Sequence, residues 1–483
     1  MKGVLNKRIH VSWHIAATAA GILAGTLAAR YVPAAAFADY SWLVIAAALI
    51  FITLLKRRLA FIALIILAGM FLGLYRGSVQ TRELARYEPF YESQVTLRAQ
   101  VVDDTTSGPG GDQRLLLGDV SLENRPMPGE IWASVPTNAE IKRGDKVTIS
   151  GYLSEGFGTF AGSIFRARLV AVERPVPGDV ARRVRDGFAE KVRLSVPEPE
   201  ASLGISYVSG HRKALPEDLS ETFRLLGLSH LVVASGFHLT IIIRFARRFF
   251  SGRSKYLATL LCFLAIGGFL LITGFSTSMT RAALVTGLSL IAWYYGRVIH
   301  PVTLLLFVAA VTVLLSPSYI WGDVGWFLSF SAFSGVIIMS PLLQKYFWGK
   351  KRSGYFRDLI VATTAAQIAT FPVIAAAFGT YSPLALFANV FMLPLVPFAM
   401  LFTVTGGLAG LVVPGLAGVF GLPALIILRY MTTLTDWLAA IPWAQGEIQF
   451  SALHVGVSYI VMLAALAYMW RKTGHDFREE TPI

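Results

Sequence analysis

From Leu359 to Leu428 the chain contains no Asp, Glu, Lys or Arg. One bilayer crossing takes roughly 20 apolar residues, so a charge-free run several times that length reads as consecutive membrane helices. The whole chain agrees with this. Its 483 residues are 55% hydrophobic and only 15% charged, with a mean hydropathy of +0.59, whereas soluble proteins average roughly a quarter charged residues. The sequence is that of a polytopic α-helical membrane protein with about 10–13 spans.

The net charge of +14 invites a nucleic-acid reading, but its distribution argues otherwise. Residues 76–197 hold 17 Lys/Arg and 16 Asp/Glu, close to neutral. The excess sits between hydrophobic segments: Lys2, Lys7, Arg8; Lys56, Arg57, Arg58; Arg244, Arg247, Arg248, Arg253, Lys255; Lys345, Lys350, Lys351, Arg352, Arg357. Alternate loops rich in Lys/Arg are what the positive-inside rule produces, so the basicity is mostly topology. The single cysteine, Cys262, excludes a disulfide framework and a thiolate metal site. The apolar stretch Val11–Val32 is too long for a signal-peptide core and reads as an uncleaved first helix.

Five regions follow. Residues 1–75 hold three N-terminal spans, near 11–31, 41–55 and 59–75, which, with the N-terminus inside, place the domain that follows Tyr75 on the extracytoplasmic side. Residues 76–175 change character: "VTLRAQV", "RLLLGDV", "EIWASV", "KVTISGYL" and "FRARLVAV" alternate apolar and polar, separated by turns such as Gly108-Pro109-Gly110-Gly111 and Gly156-Phe157-Gly158. Period-2 alternation bounded by turn formers predicts five short strands, and five strands in so short a region suggest a small OB-like barrel. Residues 176–225 read as amphipathic helices on the membrane surface, one with Val180, Val184, Phe188 and Val192 on its apolar face, the next starting at Pro216 with Leu219, Phe223 and Leu226 on one face. Residues 226–470 hold the remaining spans, the first near 226–243, and residues 471–483 form a polar tail. The stretch 384–421 reads as one span plus a re-entrant segment broken at Gly406-Gly407 and Pro414, which keeps Arg471-Lys472 inside.

Polar side chains at membrane depth are costly and face a cavity or a partner. The chain has a series of them: His230, Ser235 and His238; Arg281; Ser329 and Ser331; Gln367; Asn389. The two serines of "LSFS" are expected to bond the carbonyl one turn back. Asn389 and Gln367 serve either as helix–helix glue or as lumen contacts. Arg281 reads as snorkelling at the outer interface. Two histidines in one span are hard to explain as packing and point to a functional or lumen-facing role. Covalent chemistry finds little support. The first glycine of G-x-S-x-G is Val233 here, and a Ser with a His three residues along one helix is not expected to give base-to-Oγ geometry. No H-E-x-x-H, no H-x-H, no P-loop and no acidic residue between Glu221 and Asp323 occur, so no catalytic residue, metal or cofactor is assigned.

"GLSHLVVASGFHLTI" at 227–241 resembles the signature of the ComEC competence family, through Gly227, His230, Leu231, Ser235, Gly236 and His238. "LITGFSTSMTRAAL" resembles a second block of that family through Thr273, Gly274, Phe275, Arg281 and Ala282, and Arg297 fits the Gly-Arg that ends its span. "GWFLSFSAFSG" resembles a third through Gly325, Leu328, Ser329, Phe330 and Ala332. A fourth is matched by Gln367, Pro372, Phe378, Gly379, Asn389 and Pro394. The upstream "GDKVTISGYL" region is similar to the family's extracellular OB-like domain. Two departures stand out. Phe327 replaces a glutamine common in the family, and no H-x-H-x-D-H of the family's metallo-β-lactamase-like nuclease domain is present.

The resemblance implies a channel in the bacterial cytoplasmic membrane that passes single-stranded transforming DNA and is not itself an enzyme. The His/Ser segment would line or brace a polar path, with Arg281 near the outer mouth. Each nucleotide carries one charge, and moving it against 100 mV costs about 2.3 kcal/mol. A separate cytoplasmic ATPase or strand-binding protein is therefore expected, with a DNA receptor or pilus outside and a separate nuclease wherever a strand is degraded. Homo-oligomerisation stays open. In the β-domain, Phe157, Phe160, Arg166 and Arg168 are the candidate DNA contacts, set against a purely structural role. Two other classes also stay open: a transporter of another anionic or lipid-linked substrate, and a membrane-embedded serine hydrolase using Ser235.

Overall fold

The structure, a computed structural model, describes residues 10–475 and 477, apart from 57, 109–110, 211–214, 234, 251, 253 and 350–353. Lys2, Lys7, Arg8, Arg57, Arg253, Lys350, Lys351, Arg352, Pro109-Gly110 and most of the 471–483 tail therefore lie outside the described residues. The chain divides into two compact units: Met1–Gly178 with Ile299–Phe327, and Asp179–Val298 with Leu328–Ile483. Residues 299–327, expected to belong with the later spans, instead join the N-terminal unit. Among the described residues seven helices are long and apolar enough to cross a membrane, and a bent pair adds one more. The chain is thus a multi-pass membrane protein with a closed β-barrel domain.

In the first unit, α1 (Val11–Ala28), α2 (Tyr40–Lys56) and α3 (Ile62–Leu84) run up, down and up. α1 and α3 are parallel and touch backbone to backbone, because Gly21 and Gly25 of α1 face Ile66 and Met70, while Gly69 and Gly73 of α3 face Thr18, Ile22 and Thr26. A Cβ on Gly73 would overlap Ile22 O and lie 2.7 Å from Thr26 N. Small residues at four-residue spacing are what permit such an approach in lipid. His14 Nε2 meets Thr53 Oγ1 of α2 at 3.1 Å. α10 (Pro301–Leu315) packs beside α1 through Ala310 against Ala19 and Ile22.

α3 continues past Tyr75, where the span was expected to end, and passes through a 3-10 turn (Ala85–Phe90) into the β-domain. Here β1 (Ser93–Val101), β2 (Gln113–Leu122), β3 (Ile131–Val135), β4 (Lys146–Glu155) and β5 (Gly162–Ile164) close in the order β1-β2-β3-β5-β4-β1. All neighbours are antiparallel except β3 and β5, which are parallel. This is an OB-like barrel, and alternate inward residues (Leu97, Leu115, Leu117, Ile131, Ile149, Leu153, Ile164) fill it. One strand differs from expectation. "FRARLVAV" does not close the barrel: its second half is β6 (Arg168–Glu173), an outer strand on β4, and the closing strand is Gly162-Ser163-Ile164. A three-residue strand is too short to show alternation.

In the second unit, α4 (Val180–Ser195) is capped by Asp179, whose carboxylate accepts from Arg182 N at 2.8 Å. Its expected apolar face is only half right. Val180 and Val184 are exposed, while Arg182, Arg185, Ala189, Val192 and Ser195 are buried. The C-terminal half decides this, because Phe188, Lys191, Val192 and Ser195 lie on a bed of Gly406, Gly407, Gly410 and Gly421. α5 (Glu200–Ser209) is buried along almost its whole length, and so are Leu219 and Phe223 of α6 (Glu217–Leu225). Ala189, Val192, Leu203, Ile205, Leu219 and Phe223 of these helices thus belong to the unit's core, so the helices do not merely lie on a membrane surface.

The span expected at 226–243 is broken: one turn, Ser229–Val232, precedes α7 (Gly236–Phe250). α8 (Lys255–Thr273) buries Cys262, and α9 (Thr277–Tyr294) follows. α11 (Val324–Ser334) continues through a π-helical turn at Gly335–Met339 into α12 (Ser340–Trp348). Then come α13 (Tyr355–Phe378), α14 (Ala385–Met392), α15 (Val396–Val412), α16 (Ala417–Ala439) and α17 (Ala452–Thr473). The break within 384–421 lies between α14 and α15, bent by 49°, and again at Val413-Pro414. Gly406-Gly407 stays helical because it serves packing.

Candidate functional site

Four juxtapositions draw separate elements of the second unit together around the broken segment. Gly227 ends the turn after α6 with φ +69°, a conformation glycine adopts freely, and a Cβ there would sit 3.3 Å from Ala385 Cβ at the start of α14. Gly236 opens α7, where a Cβ would sit 3.1 Å from Ala282 Cβ on α9. The two glycines thus draw together segments far apart in sequence. His230, accessible in the intervening turn, lies beside the Asn389 side chain of α14 and the Gly227 backbone.

His238 on α7 is completely buried, its ring 5.7 Å from that of Tyr207 on α5. Contrary to expectation, its Nδ1 lies 3.0 Å from Ser235 Oγ, and it also accepts Ser235 N–H at 3.3 Å. The geometry is that of a nucleophile–base pair, but its cause is local. Ser235 is the N-cap of α7, and His238 at the third helical position reaches back as Glu or Gln does in a capping box. The chain makes the same arrangement at the start of α17, where exposed His454 Nδ1 lies 2.8 Å from Ser451 Oγ and accepts Ser451 N–H at 3.2 Å. A backbone N–H only donates, so Nδ1 accepts and neutral His238 carries its proton on Nε2.

Several polar atoms of this unit have no hydrogen-bond partner among the described residues: His238 Nε2, Tyr207 Oη, Asn389 Oδ1, Gln367 Nε2 and Thr403 Oγ1. Asn389 Nδ2 donates to Ala385 O at 2.9 Å within its own helix. Arg281 on α9 is only 3% exposed, so it does not snorkel at a surface. Ser329 is half-buried. Ser331 does not bond the carbonyl one turn back. It donates to Tyr459 Oη on α17 at 3.0 Å, and Tyr459 donates to Ala369 O on α13 at 3.0 Å. Tyr207 is the residue that sequence reasoning missed. It sits in the small, apolar run "ASLGISYVSG", which carries no motif. Among the described residues, no three His, Cys, Asp or Glu side chains are placed to hold a metal ion.

In the β-domain, Phe157 and Phe160 lie on the loop between β4 and β5 with rings 5.2 Å apart. Phe157, Arg166 and Arg168 are exposed. Trp132 and Phe165, not expected from the sequence, complete the cluster, with the indole 5.6 Å from Phe157 and 5.0 Å from Phe165.

A family model described as "Competence protein" matches residues 207–473. The match takes in Tyr207 and every motif residue from Gly227 to Asn389, and leaves out the barrel. The chain is also similar to ComE operon protein 3 of Bacillus subtilis (strain 168), at 25% identity over 248 residues. That alignment covers 50% of this chain and 30% of the relative, so less than a third of the relative's length is represented. No solved structure matches the chain.

Proposed function

The chain belongs to the competence protein family, and on that premise we propose that it is a channel passing single-stranded transforming DNA across the bacterial cytoplasmic membrane. The observation that carries this reading is the convergence of motif residues from separate elements: Gly227 on Ala385, Gly236 on Ala282, His230 beside Asn389, and His238 against Tyr207. Buried polar atoms that lack protein partners are normally bonded by water, and an interior with several of them suits a hydrated path. His230, accessible, contacts the path. Buried His238 and half-buried Ser235, hydrogen-bonded to each other, brace the start of α7 beside it. No covalent step is required of them.

Such a path lowers the barrier for a polyanion but supplies no drive. At about 2.3 kcal/mol per nucleotide against 100 mV, inward movement needs a partner: a cytoplasmic ATPase, or proteins that bind the emerging strand. A receptor or pilus delivers DNA outside, and a separate nuclease degrades the other strand where that occurs.

The test is made in the native host with labelled duplex DNA, following label at the surface and in the cytoplasm separately. Deletion of the chain, and the His230→Ala/His238→Ala double variant, should leave surface label intact and abolish cytoplasmic label. If cytoplasmic label persists in the deletion strain of a competent host, the channel reading fails and a transporter of another anionic or lipid-linked substrate replaces it.

A further inference from the structure

The first unit fixes its own membrane level. Arg30, just beyond α1, donates to Trp321 O at 2.8 Å, and Trp321 Nε1 donates to Thr26 O at 2.8 Å. Arg76 of α3 donates to Leu314 O at 2.9 Å and Leu315 O at 3.1 Å. Exposed Tyr31 and Tyr40 lie at the same helix ends, and Tyr75 is 5.9 Å from Tyr40. Arginines, tryptophan and tyrosines gathered at one end of three apolar helices mark the headgroup layer.

The β-barrel reaches back to that layer. A Cβ on Gly322, one residue after Trp321, would meet Gly158 O at 3.2 Å and Gly158 Cα at 3.3 Å. Gly158 sits at the tip of the β4–β5 loop, next to Phe157. The loop therefore touches the membrane helices where they leave the bilayer, and its aromatic cluster stands beside that contact with Phe157 48% and Phe165 59% exposed.

We propose that Trp132, Phe157, Phe160 and Phe165 form a lipid-interface anchor that seats the β-barrel on the headgroup layer around residues 314–322. Exposed Arg166, following Phe165 in a turn at φ +51°, is placed to meet lipid phosphate. Single-stranded DNA is the competing occupant, and ring geometry argues against it. Base stacking needs open ring faces, whereas Trp132–Phe157 and Phe157–Phe160 pack edge to face at 63° and 80° and cover one another. Insertion among headgroups makes no such demand. The near-neutral charge of residues 76–197 also favours a lipid contact over a polyanion. The proposal does not depend on what the channel carries.

The test uses the full chain with Cys262→Ala, which removes the single, buried native thiol. Phe157→Cys, and separately Phe165→Cys, is labelled with an environment-sensitive fluorophore and placed in phosphatidylethanolamine/phosphatidylglycerol nanodiscs with or without brominated lipid. Lys146→Cys is the control: it is exposed at the other end of β4, nine residues or roughly 30 Å from Glu155. Labels at 157 and 165 should shift to the blue and be quenched roughly twofold or more by brominated lipid, while the label at 146 is unaffected. Absence of lipid quenching at 157 and 165 overturns the anchor. If those labels instead respond to a thymidine oligonucleotide, the cluster is a nucleic-acid surface.

Discussion

Replacing Ser235 separates a helix brace from a catalytic nucleophile. In Ser235→Ala the His238 Nδ1 loses the hydroxyl at 3.0 Å but keeps the backbone N–H at 3.3 Å. Losing an N-cap side chain costs about 1 kcal/mol, and 1.4 kcal/mol corresponds to about tenfold in an equilibrium. If α7 must stay capped for the path to stay open, cytoplasmic DNA uptake should fall by at most about tenfold. Ser235→Asn supplies another good cap and should recover most of it. His238→Gln should be tolerated far better than His238→Ala, because a glutamine at the third helical position can accept the N-cap N–H. A nucleophile or base behaves differently, with losses of about a thousandfold or more and no rescue by Asn or Gln. The assay is label in the cytoplasm per cell, normalised to protein detected in the membrane. If Ser235→Asn or His238→Gln abolished uptake at normal protein level, the brace argument would be wrong.

Other expected outcomes concern stability, read as thermal unfolding of the detergent-solubilised chain. Gly73→Ala drives its methyl into Ile22 O and to 2.7 Å from Thr26 N, so α1 and α3 must part by more than about 0.8 Å to reach ordinary ~3.5 Å contact. A loss of about 1–3 kcal/mol is expected. Gly267→Ala on α8 meets nothing within 4 Å and should be neutral or gain up to about 1 kcal/mol; equal effects at the two sites would refute the seam. Tyr87→Phe removes a fully buried hydroxyl that has no hydrogen-bond partner among the described residues, and should raise stability by about 1 kcal/mol. Arg429→Met strands the Glu200 carboxylate, whose side chain is 5% exposed and which is held by Arg429 Nε at 2.9 Å. A loss of about 3 kcal/mol is expected, largely recovered by adding Glu200→Gln, and no recovery would show that the arginine acts through other contacts. At Tyr91, burial and then the carboxylates of Glu155 and Glu88 raise the phenol above 10.0. Its share of stability is thus whole below pH 10 and declines as pH rises beyond, and Tyr91→Phe should weaken that alkaline decline.

The membrane class, the barrel and the motif series are legible in the sequence because each rests on a pattern longer than one element. Hydropathy gives the spans and period-2 alternation gives β1 to β4. What escapes is set by short-range packing. Strand β5 has three residues and shows no period. The break before α7 hides in "LVVAS", where apolar residues bridge the gap and hydropathy runs on unbroken. The face of α4 is decided by glycines more than two hundred residues downstream, so its own Val180 and Val184 mislead. Gly21, Gly25, Gly69, Gly73 and Gly77 recur at four-residue spacing in plain view, but their pairing across α1 and α3 needs the fold. Regular-helix geometry argues against the Ser235–His238 contact, but that geometry does not hold at a helix start.

α3 enters the barrel almost without slack: Leu84 leads through Ala85–Phe90 and then only Tyr91 and Glu92 before β1. At its other end it is locked to α1 by the glycine seam. The barrel is thus mounted on a rigid shaft, and its bearing is a matter of helical phase. One residue inserted between Gly77 and Leu84 would turn it about 100° and lift it about 1.5 Å, swinging the β4–β5 loop off Gly322. Seven inserted residues would lift it about 10 Å and return it nearly to its original heading. Length changes in this short segment therefore act as a dial on where the barrel faces, and only steps close to a whole number of turns, such as about seven or about eleven residues, leave the heading nearly unchanged.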